Sequence, residues 1–311
     1  MTKKIEGLIA AVFTPFHEDG SLNLEMVPAL VDKLHGEGVK GIFVCGSNGE
    51  GPNMTTEERM KVTETFVKAA NHRLLIVVHV GHSSIAEAKA LAAHAAEAGA
   101  DAISSVAAFY FKPVSVENLG DCMAEIAGAA PELPFYYYHI PHLTGVGMDM
   151  IEFLKYAGPR IPNFAGIKYT ATTLHEYQAC LNFENERYDI LYGLDEMLLP
   201  ALAVGAKGAI GSTYTFAAPL YLEVMKIFKE NNLKEAQRRH SYAVEMIRLL
   251  VKHPPIPGQK AIMKMLGWDL GPCRLPLTTL SQQQYDKFYQ ELNAISFFEK
   301  VPSASLATSR G

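Results

Sequence analysis

Short apolar runs alternate with helix-like segments along most of this chain. The runs are rich in Val, Ile, Leu, Phe and Tyr, as buried strands are, and the segments between them repeat apolar residues with helical spacing. We expect eight strands, at residues 8–13, 41–45, 74–80, 102–106, 135–138, 164–168, 190–192 and 208–210. Strands separated by helices pair in parallel through right-handed crossovers, so the pattern predicts an α/β fold, a (β/α)8 TIM barrel.

Helix signals lie where the barrel requires them. A helix is expected at residues 27–36, after the first strand. Residues 55–58 (TTEE) and 84–87 (SIAE) have the spacing of a capping box, after the second and third strands. The alanine-rich segment 86–98 ends before Gly99, a common helix stop.

The chain continues well beyond the last predicted strand. We expect helices at residues 218–231, 233–250, 258–266 and 281–298, with the proline-rich segment 253–258 between two of them. The pattern predicts a barrel catalytic domain at residues 1–217 and a C-terminal helical extension at residues 218–300. A disordered tail is expected at residues 301–311, which are rich in Ser and Ala.

Composition and charge argue against several classes of protein. The 311 residues are 49% hydrophobic, which is ample for a large core. A net charge of -5 without a long basic run argues against nucleic acid or an anionic membrane as partner. No apolar stretch is long enough for a bilayer, and no signal-peptide core follows Met1. Four widely spaced cysteines without a CxxC pair favour a reduced, cytoplasmic protein.

A lysine at the end of the sixth predicted strand is the strongest chemical signal. Lys168 closes the apolar run 164–168, where a cation is costly unless it is paired or used. Catalytic groups of barrels gather at the carboxyl ends of strands, so Lys207, ahead of strand eight, is on the wrong face. Lys112 follows strand four and reads as a loop residue. A free amine at Lys168 can form a Schiff base, and the alternative is a solvated lysine.

The glycine-rich turn after strand two, residues 46–51, is a candidate anion site. Its G-x-x-G-x-G spacing is not the dinucleotide fingerprint, and no Walker lysine follows. Successive backbone N–H groups and the Ser47 hydroxyl could hold a carboxylate. The alternative is a tight turn without a ligand.

Three consecutive tyrosines, residues 136–138, lie in strand five. Side chains alternate along a strand, so the three cannot all face the barrel lumen. Tyr138 is the last of them and is best placed to exchange a proton at the barrel mouth.

Acidic and hydroxyl residues follow the last two strands. Asp195 and Glu196 come after strand seven, and Ser212 comes after strand eight. Such groups suit the hydroxyls of a sugar better than a phosphate, whereas helix capping is the alternative interpretation.

Histidines after strands three and five raise the alternative of a metal-dependent aldolase. His79, His82, His139 and His142 are plausible ligands by residue type. No acidic ligand set accompanies them, so we expect no metal and treat them as satisfied or solvated histidines.

In their order and spacing, these motifs resemble the dihydrodipicolinate synthase and N-acetylneuraminate lyase family of class I, Schiff-base aldolases. The resemblance extends from Ile5 to about Phe298. It is carried by residues 46–50 (GSNGE), 138–141 (YHIP), 166–170 (GIKYT) and 208–212 (GAIGS). It implies a cofactor-independent lyase that cleaves N-acetylneuraminate reversibly to N-acetylmannosamine and pyruvate.

The resemblance also implies roles for particular residues. The catalytic residues would be Lys168, Tyr138, Ser47 and Tyr110, the last lent to a neighbouring subunit of a homotetramer. The substrate-binding residues would be Ser47, Asn48, Thr170, Gly193, Asp195, Glu196 and Ser212. The expected partners are small-molecule substrates.

Two positions refine the resemblance. The synthases carry an arginine five residues after the strand-five tyrosine, where it binds a carboxylate of the second substrate. Leu143 occupies that position here, which favours the lyase branch and a neutral sugar. Asn48 stands where the family usually has threonine. The change is tolerable if the backbone N–H binds the carboxylate, whereas carboxylate affinity would fall if a threonine hydroxyl is needed.

Two other functions stay open at the level of sequence. One is another pyruvate-dependent class I aldolase of the same family that acts on a different 2-oxo acid. The other is a non-catalytic barrel that binds pyruvate or sialic acid, although such a protein would not need Lys168 and Tyr138 together.

Overall fold

A computed structural model describes residues 4–301, which form a closed barrel of eight parallel strands. Each strand pairs with the next along the chain, and the last pairs with the first. The strands are β1 Gly7–Ala11, β2 Gly41–Val44, β3 Leu75–His79, β4 Ala102–Val106, β5 Phe135–His139, β6 Phe164–Tyr169, β7 Asp189–Tyr192 and β8 Gly208–Gly211. The predicted (β/α)8 barrel is confirmed, and strand ends differ from the prediction by at most two residues.

Helices surround the barrel and continue beyond it. They are α1 Val27–Gly36, α2 Thr56–Ala70, α3 Ile85–Glu97, α4 Val116–Ala127, α5 Pro141–Thr144, α6 Met150–Ala157, α7 Leu174–Asn182, α8 Leu198–Ala203, α9 Tyr214–Lys229, α10 Leu233–Leu250, α11 Pro255–Met265, α12 Gln282–Ala294 and α13 Phe297–Lys300. Short 3-10 turns lie at Leu24–Met26, Gly51–Asn53 and Asp195–Met197.

The predicted helix boundaries need three corrections. Helix α9 begins four residues earlier than expected and packs on β1, so it completes the barrel's ring of helices. Helix α11 begins at Pro255, because proline at the first turn lacks an N–H that the helix would leave unpaired anyway. The helix expected at residues 281–298 is divided into α12 and α13 where Ser296 adopts a left-handed conformation.

The predicted division at residues 217 and 218 falls within α9. Ala217 leaves helical geometry there, and Pro219 follows it, so the helix is kinked at this point. A separate domain from residue 218 stays a prediction. Of the tail predicted at residues 301–311, Val301 is buried, and residues 302–311 lie outside the described part of the chain.

Two apolar cores lie on the two sides of the closed sheet. The larger fills the space between strands and helices, and the smaller fills the barrel lumen. Alternate residues of a regular strand enter the two cores, as in β5, where Phe135 and Tyr137 face the helices and Tyr136 and Tyr138 face the lumen. The expectation that the three tyrosines divide between the two faces is therefore confirmed.

Strand β6 departs from this alternation at one point. Its register with β5 shifts, so that Phe135 pairs with Phe164 but Tyr136 pairs with Gly166, which leaves Ala165 as an extra residue. Ala165 lies in the lumen and Ile167 lies against the helices, so the bulge reverses the phase of every later residue in the strand. Glycine is required beside the bulge because a Cβ at Gly166 would overlap the carbonyl oxygen of Asp189.

A buried ion pair joins the C-terminal helices to the turn after β2. The Lys260 ammonium in α11 donates to the Glu50 carboxylate at 3.0 Å and to the Pro272 carbonyl at 2.8 Å. The other Glu50 oxygen accepts from the Arg274 N–H at 2.9 Å. Both charged side chains are almost fully buried, so each depends on the other for the opposite charge that compensates its own.

The residues from 4 to 301 include no helix with the length and apolar character that crossing a membrane requires.

We expect Lys260→Met to lower the free energy of unfolding by about 3–5 kcal/mol, because it leaves the Glu50 carboxylate buried without its cation. The double variant Glu50→Gln/Lys260→Met should lower the free energy of unfolding clearly less, since no unpaired charge is then buried. Urea titrations of the single and double variants measure this difference.

Lys155→Met is the matched control for this comparison. It removes a lysine from an exposed pair with Glu152, and such pairs contribute little to stability. A Lys260→Met variant as stable as Lys155→Met would contradict a structural role for the buried pair.

Candidate active site

The Lys168 side chain enters the barrel lumen near the carboxyl ends of the strands. It is only 3% exposed, and its Nζ lies 3.8 Å from the ring centroids of both Phe43 and Tyr138. Burial lowers the pKa of Lys168 to about 7, and the nearby Asp195 carboxylate partly opposes this shift. The predicted nucleophile is therefore a buried amine, and the solvated-lysine alternative is wrong.

A cavity of about 420 Å³ opens above Lys168 at this end of the barrel. It brings together nine of the ten site residues expected from sequence. These nine are Ser47, Asn48, Tyr138, Lys168, Thr170, Gly193, Asp195, Glu196 and Ser212. Their strands are separated along the chain, but all of them end at the same rim of the barrel.

Tyr110 is the site residue that the cavity of its own chain does not include. It lies in the loop after β4, is 77% exposed and contacts the Phe111 ring edge-on. Its expected place in the site of a neighbouring subunit stays a prediction.

The turn after β2 has the form of an anion site. The N–H groups of Glu50 and Gly51 bond back to the carbonyls of Ser47 and Gly46, which closes the turn. No hydrogen bond joins the N–H of Ser47 or Asn48 to another residue in the range 4–301. These two amides, together with the Ser47 hydroxyl, are therefore available to a carboxylate at the cavity wall.

Tyr138 lies beside Lys168 with its hydroxyl near Ser47 and Thr170. Burial raises the pKa of Tyr138 to about 12, although Ser47 and Thr170 act in the opposite direction. Tyr138 is thus a neutral phenol at ordinary pH, able to donate and to accept a hydrogen bond at the same time.

Asp195 faces Lys168 from the end of β7. One carboxylate oxygen accepts from the N–H and the hydroxyl of Thr213, at 2.8 and 2.7 Å, and the other is buried without a partner in the described chain. Burial raises the pKa of Asp195 to about 6. Glycine is needed at position 211, since a Cβ there would overlap the Asp195 carboxylate.

The histidines do not converge on one point. His79 lies in the lumen against Phe43 and Tyr138, whereas His139 lies on the helix side against Tyr137 and Tyr169. Burial lowers the pKa of both imidazoles, that of His139 to about 4. Within residues 4–301, no cluster of three or more His, Cys, Asp or Glu side chains has the geometry to hold a metal ion.

Sequence reasoning missed one wall of the cavity. The C-terminal helices and the segment between them contribute a largely apolar surface together with one amide, Gln259. These residues are Ile247, Leu250, Val251, Pro254, Pro255, Ile256, Pro257, Gln259 and Leu277. The proline-rich segment was visible in the sequence, but nothing local indicated that it folds back over the barrel mouth.

A larger cavity, of about 930 Å³, lies at the opposite end of the barrel. Lys4, Lys40, Asp101 and Tyr136 are among the residues that line it, and none of the expected site residues does. Barrel enzymes place their chemistry at the carboxyl ends of the strands, so the smaller cavity with Lys168 is the candidate active site.

Comparison with known proteins finds relatives over nearly the whole chain. The model of the Dihydrodipicolinate synthetase family matches residues 4–295. An N-acetylneuraminate lyase of Xenopus tropicalis is 42% identical over 279 residues, which cover 88% of this chain and 91% of the relative. The N-acetylneuraminate lyase of Sus scrofa is 39% identical over 298 residues, which cover 94% of this chain and 93% of the relative.

Solved structures agree in fold over nearly the whole chain. Proteus mirabilis N-acetylneuraminate lyase superposes with a TM-score of 0.92 at 38% identity, covering 95% of this chain and all of that one. The lyase of Aliivibrio salmonicida has the same TM-score at 40% identity, covering 95% of this chain and 98% of that one. By these measures the chain is a member of the Dihydrodipicolinate synthetase family.

Proposed function

We propose that this protein is a Schiff-base lyase that cleaves N-acetylneuraminate reversibly to N-acetylmannosamine and pyruvate. The observation that carries the proposal is Lys168, a buried amine with a pKa of about 7 beneath a cavity that could admit a sugar acid. Relatives named N-acetylneuraminate lyase at 38–42% identity over most of the chain support this substrate.

In the first step the free Lys168 amine attacks the C2 carbonyl of the open-chain sugar acid, and water leaves as the imine forms. The protonated imine then accepts the electron pair of the C3–C4 bond, which breaks to give an aldehyde and an enamine. Protonation at C3 and hydrolysis of the imine release pyruvate and restore the lysine. The imine is the electron sink, so the reaction needs no cofactor.

Tyr138 relays the proton that the C4 hydroxyl loses as the bond breaks. Its pKa of about 12 keeps the phenol protonated, so it accepts this proton while donating its own to the substrate carboxylate. Ser47 lies near both the phenol and the expected position of that carboxylate, so its hydroxyl can orient the Tyr138 hydroxyl for the proton transfer.

The substrate carboxylate binds at the turn after β2. Ser47 and the backbone N–H of Asn48 supply the donors, so asparagine in place of the usual threonine is tolerated. The hydroxylated part of the chain extends toward Thr170, Gly193, Asp195, Glu196 and Ser212. Leu143 lies at the cavity mouth in the position where the synthases carry an arginine. Its apolar side chain cannot bind a second carboxylate, which fits a neutral sugar.

The proposal includes a cytoplasmic homotetramer in which Tyr110 completes the site of a neighbouring subunit. Tyr110 and Phe111 form an exposed aromatic pair, which suits burial against a second copy. Cys45, Cys122, Cys180 and Cys273 are free, which suits a reducing compartment.

Reduction with borohydride in the presence of pyruvate should leave a stable adduct on Lys168, because the imine becomes a secondary amine. Peptide mass spectrometry locates the adduct. Lys168→Met should abolish it, whereas Lys207→Met, at the opposite end of the barrel, should not. An unmodified Lys168 in the wild-type protein would refute the covalent mechanism.

Tyr138→Phe should lower kcat by about 10²–10⁴-fold while pyruvate still forms its adduct, because only the proton relay is lost. Steady-state cleavage of N-acetylneuraminate measures this. Tyr137→Phe is the matched control, since that neighbour faces the helices and its hydroxyl has no hydrogen-bond partner in the described chain. Equal kcat values for the two variants would remove Tyr138 from the mechanism.

The kcat/KM for cleavage should rise with pH through a limb near pH 7, where Lys168 loses its proton. At the ordinary pKa of 10.5, on the order of 0.03% of the amine would be free at pH 7, against about half at a pKa of about 7. Asp195→Asn removes the carboxylate that favours the charged amine, so the limb should move to lower pH. A limb that stays in place or moves to higher pH would contradict the coupling.

A further inference from the structure

Three polar atoms in the wall of the active-site cavity are buried without a hydrogen-bond partner among residues 4–301. They are the hydroxyl oxygen of Thr170, one carboxylate oxygen of Asp195 and the amide oxygen of Gln259. Each of these residues is at most 5% exposed. Thr170 and Asp195 already have a place in the proposed function, whereas Gln259 does not.

An unsatisfied buried amide is unfavourable and is rare in folded proteins. At a cavity wall the missing partner is usually supplied by the molecule that the cavity binds. Gln259 has the same three properties as Thr170 and Asp195: it is buried, it lines the cavity and its oxygen is unpaired. The parallel indicates that Gln259 also faces substrate.

The position of Gln259 is held by its neighbour. Lys260, the next residue of α11, is anchored to Glu50 at 3.0 Å and to the Pro272 carbonyl at 2.8 Å. Because these contacts fix this turn of the helix against the barrel, the Gln259 amide is held at the cavity wall.

The polarity of the cavity wall near the C-terminal helices indicates which part of the substrate Gln259 contacts. Apart from Gln259, the part of the cavity wall that the C-terminal segment contributes is apolar and includes Ile247, Leu250, Val251, Pro255, Ile256 and Leu277. A hydroxylated carbon chain would leave its hydroxyls unpaired against such a wall. An acylamino group fits better, because its methyl can pack on the apolar side chains while its N–H donates to the Gln259 amide oxygen.

We propose that Gln259 forms a hydrogen bond with the acylamino group of the sugar fragment and is a specificity-determining residue. The inference rests on the proposed function, since it takes the substrate to be an N-acylated sugar acid. It assigns a contact to the C-terminal extension, which sequence reasoning had left without a role in the site.

The test is Gln259→Met, which keeps the length of the side chain and removes the hydrogen bond. In the condensation direction the KM for N-acetylmannosamine should rise about threefold to tenfold, the usual effect of one lost neutral hydrogen bond. The KM for pyruvate and the borohydride adduct on Lys168 should not change. The preference for N-acetylmannosamine over mannose, as a ratio of kcat/KM values, should fall by the same factor.

Gln237→Met is the matched control, because Gln237 is an exposed glutamine of α10 away from the cavity, and it should change neither KM. The melting temperature of Gln259→Met should equal or exceed that of the wild type, since a buried unpaired amide has been removed.

Three results would overturn the inference. An unchanged KM for N-acetylmannosamine would exclude the contact. An equal rise in the KM for mannose would place the contact on a hydroxyl instead. A lower melting temperature together with higher KM values for both N-acetylmannosamine and pyruvate would make Gln259 a structural residue. A wild-type protein that traps no pyruvate would refute the proposed function itself, and the inference with it.

Discussion

The active site depends on one irregularity of the sheet, the bulge in β6. Regular alternation from Ala165 would place Ile167 in the lumen and Lys168 against the helices. The extra residue at the bulge instead places Lys168 in the lumen and Ile167 against the helices. Gly166 permits the bulge because, without a Cβ, it leaves room for the Asp189 carbonyl. Every contact of the Lys168 amine follows from this change of phase.

Burial then gives the site its chemical character. It disfavours charge on whichever group it encloses, so it lowers the pKa of Lys168 to about 7 and raises that of Asp195 to about 6 and of Tyr138 to about 12. A free amine and a protonated phenol are the forms that imine formation and proton relay require. A single cause, removal from water, thus prepares two different groups for one reaction.

The C-terminal helices belong to the site as well as to the fold. They close one side of the cavity with a mostly apolar wall, and the Lys260–Glu50 pair connects that wall to the turn after β2, where we propose that the carboxylate binds. Substrate would therefore lie between the C-terminal helices and the turn after β2, whose relative position the ion pair fixes. The mutual attraction of Glu50 and Lys260 and their remaining hydrogen bonds offset the cost of burying both charges at this place.

The sequence by itself determined the alternation of strands and helices, the strand ends that carry Lys168 and Tyr138, and the glycine turn with Ser47. These features are local, because the spacing of apolar residues, the capping residues and the spacing of glycines each depend on only a few neighbouring positions. Only the tertiary structure decided the phase of β6, the pKa of each buried group and the wall that Gln259 joins. Those depend on packing between residues that are distant along the chain, and no local pattern records which of them will meet.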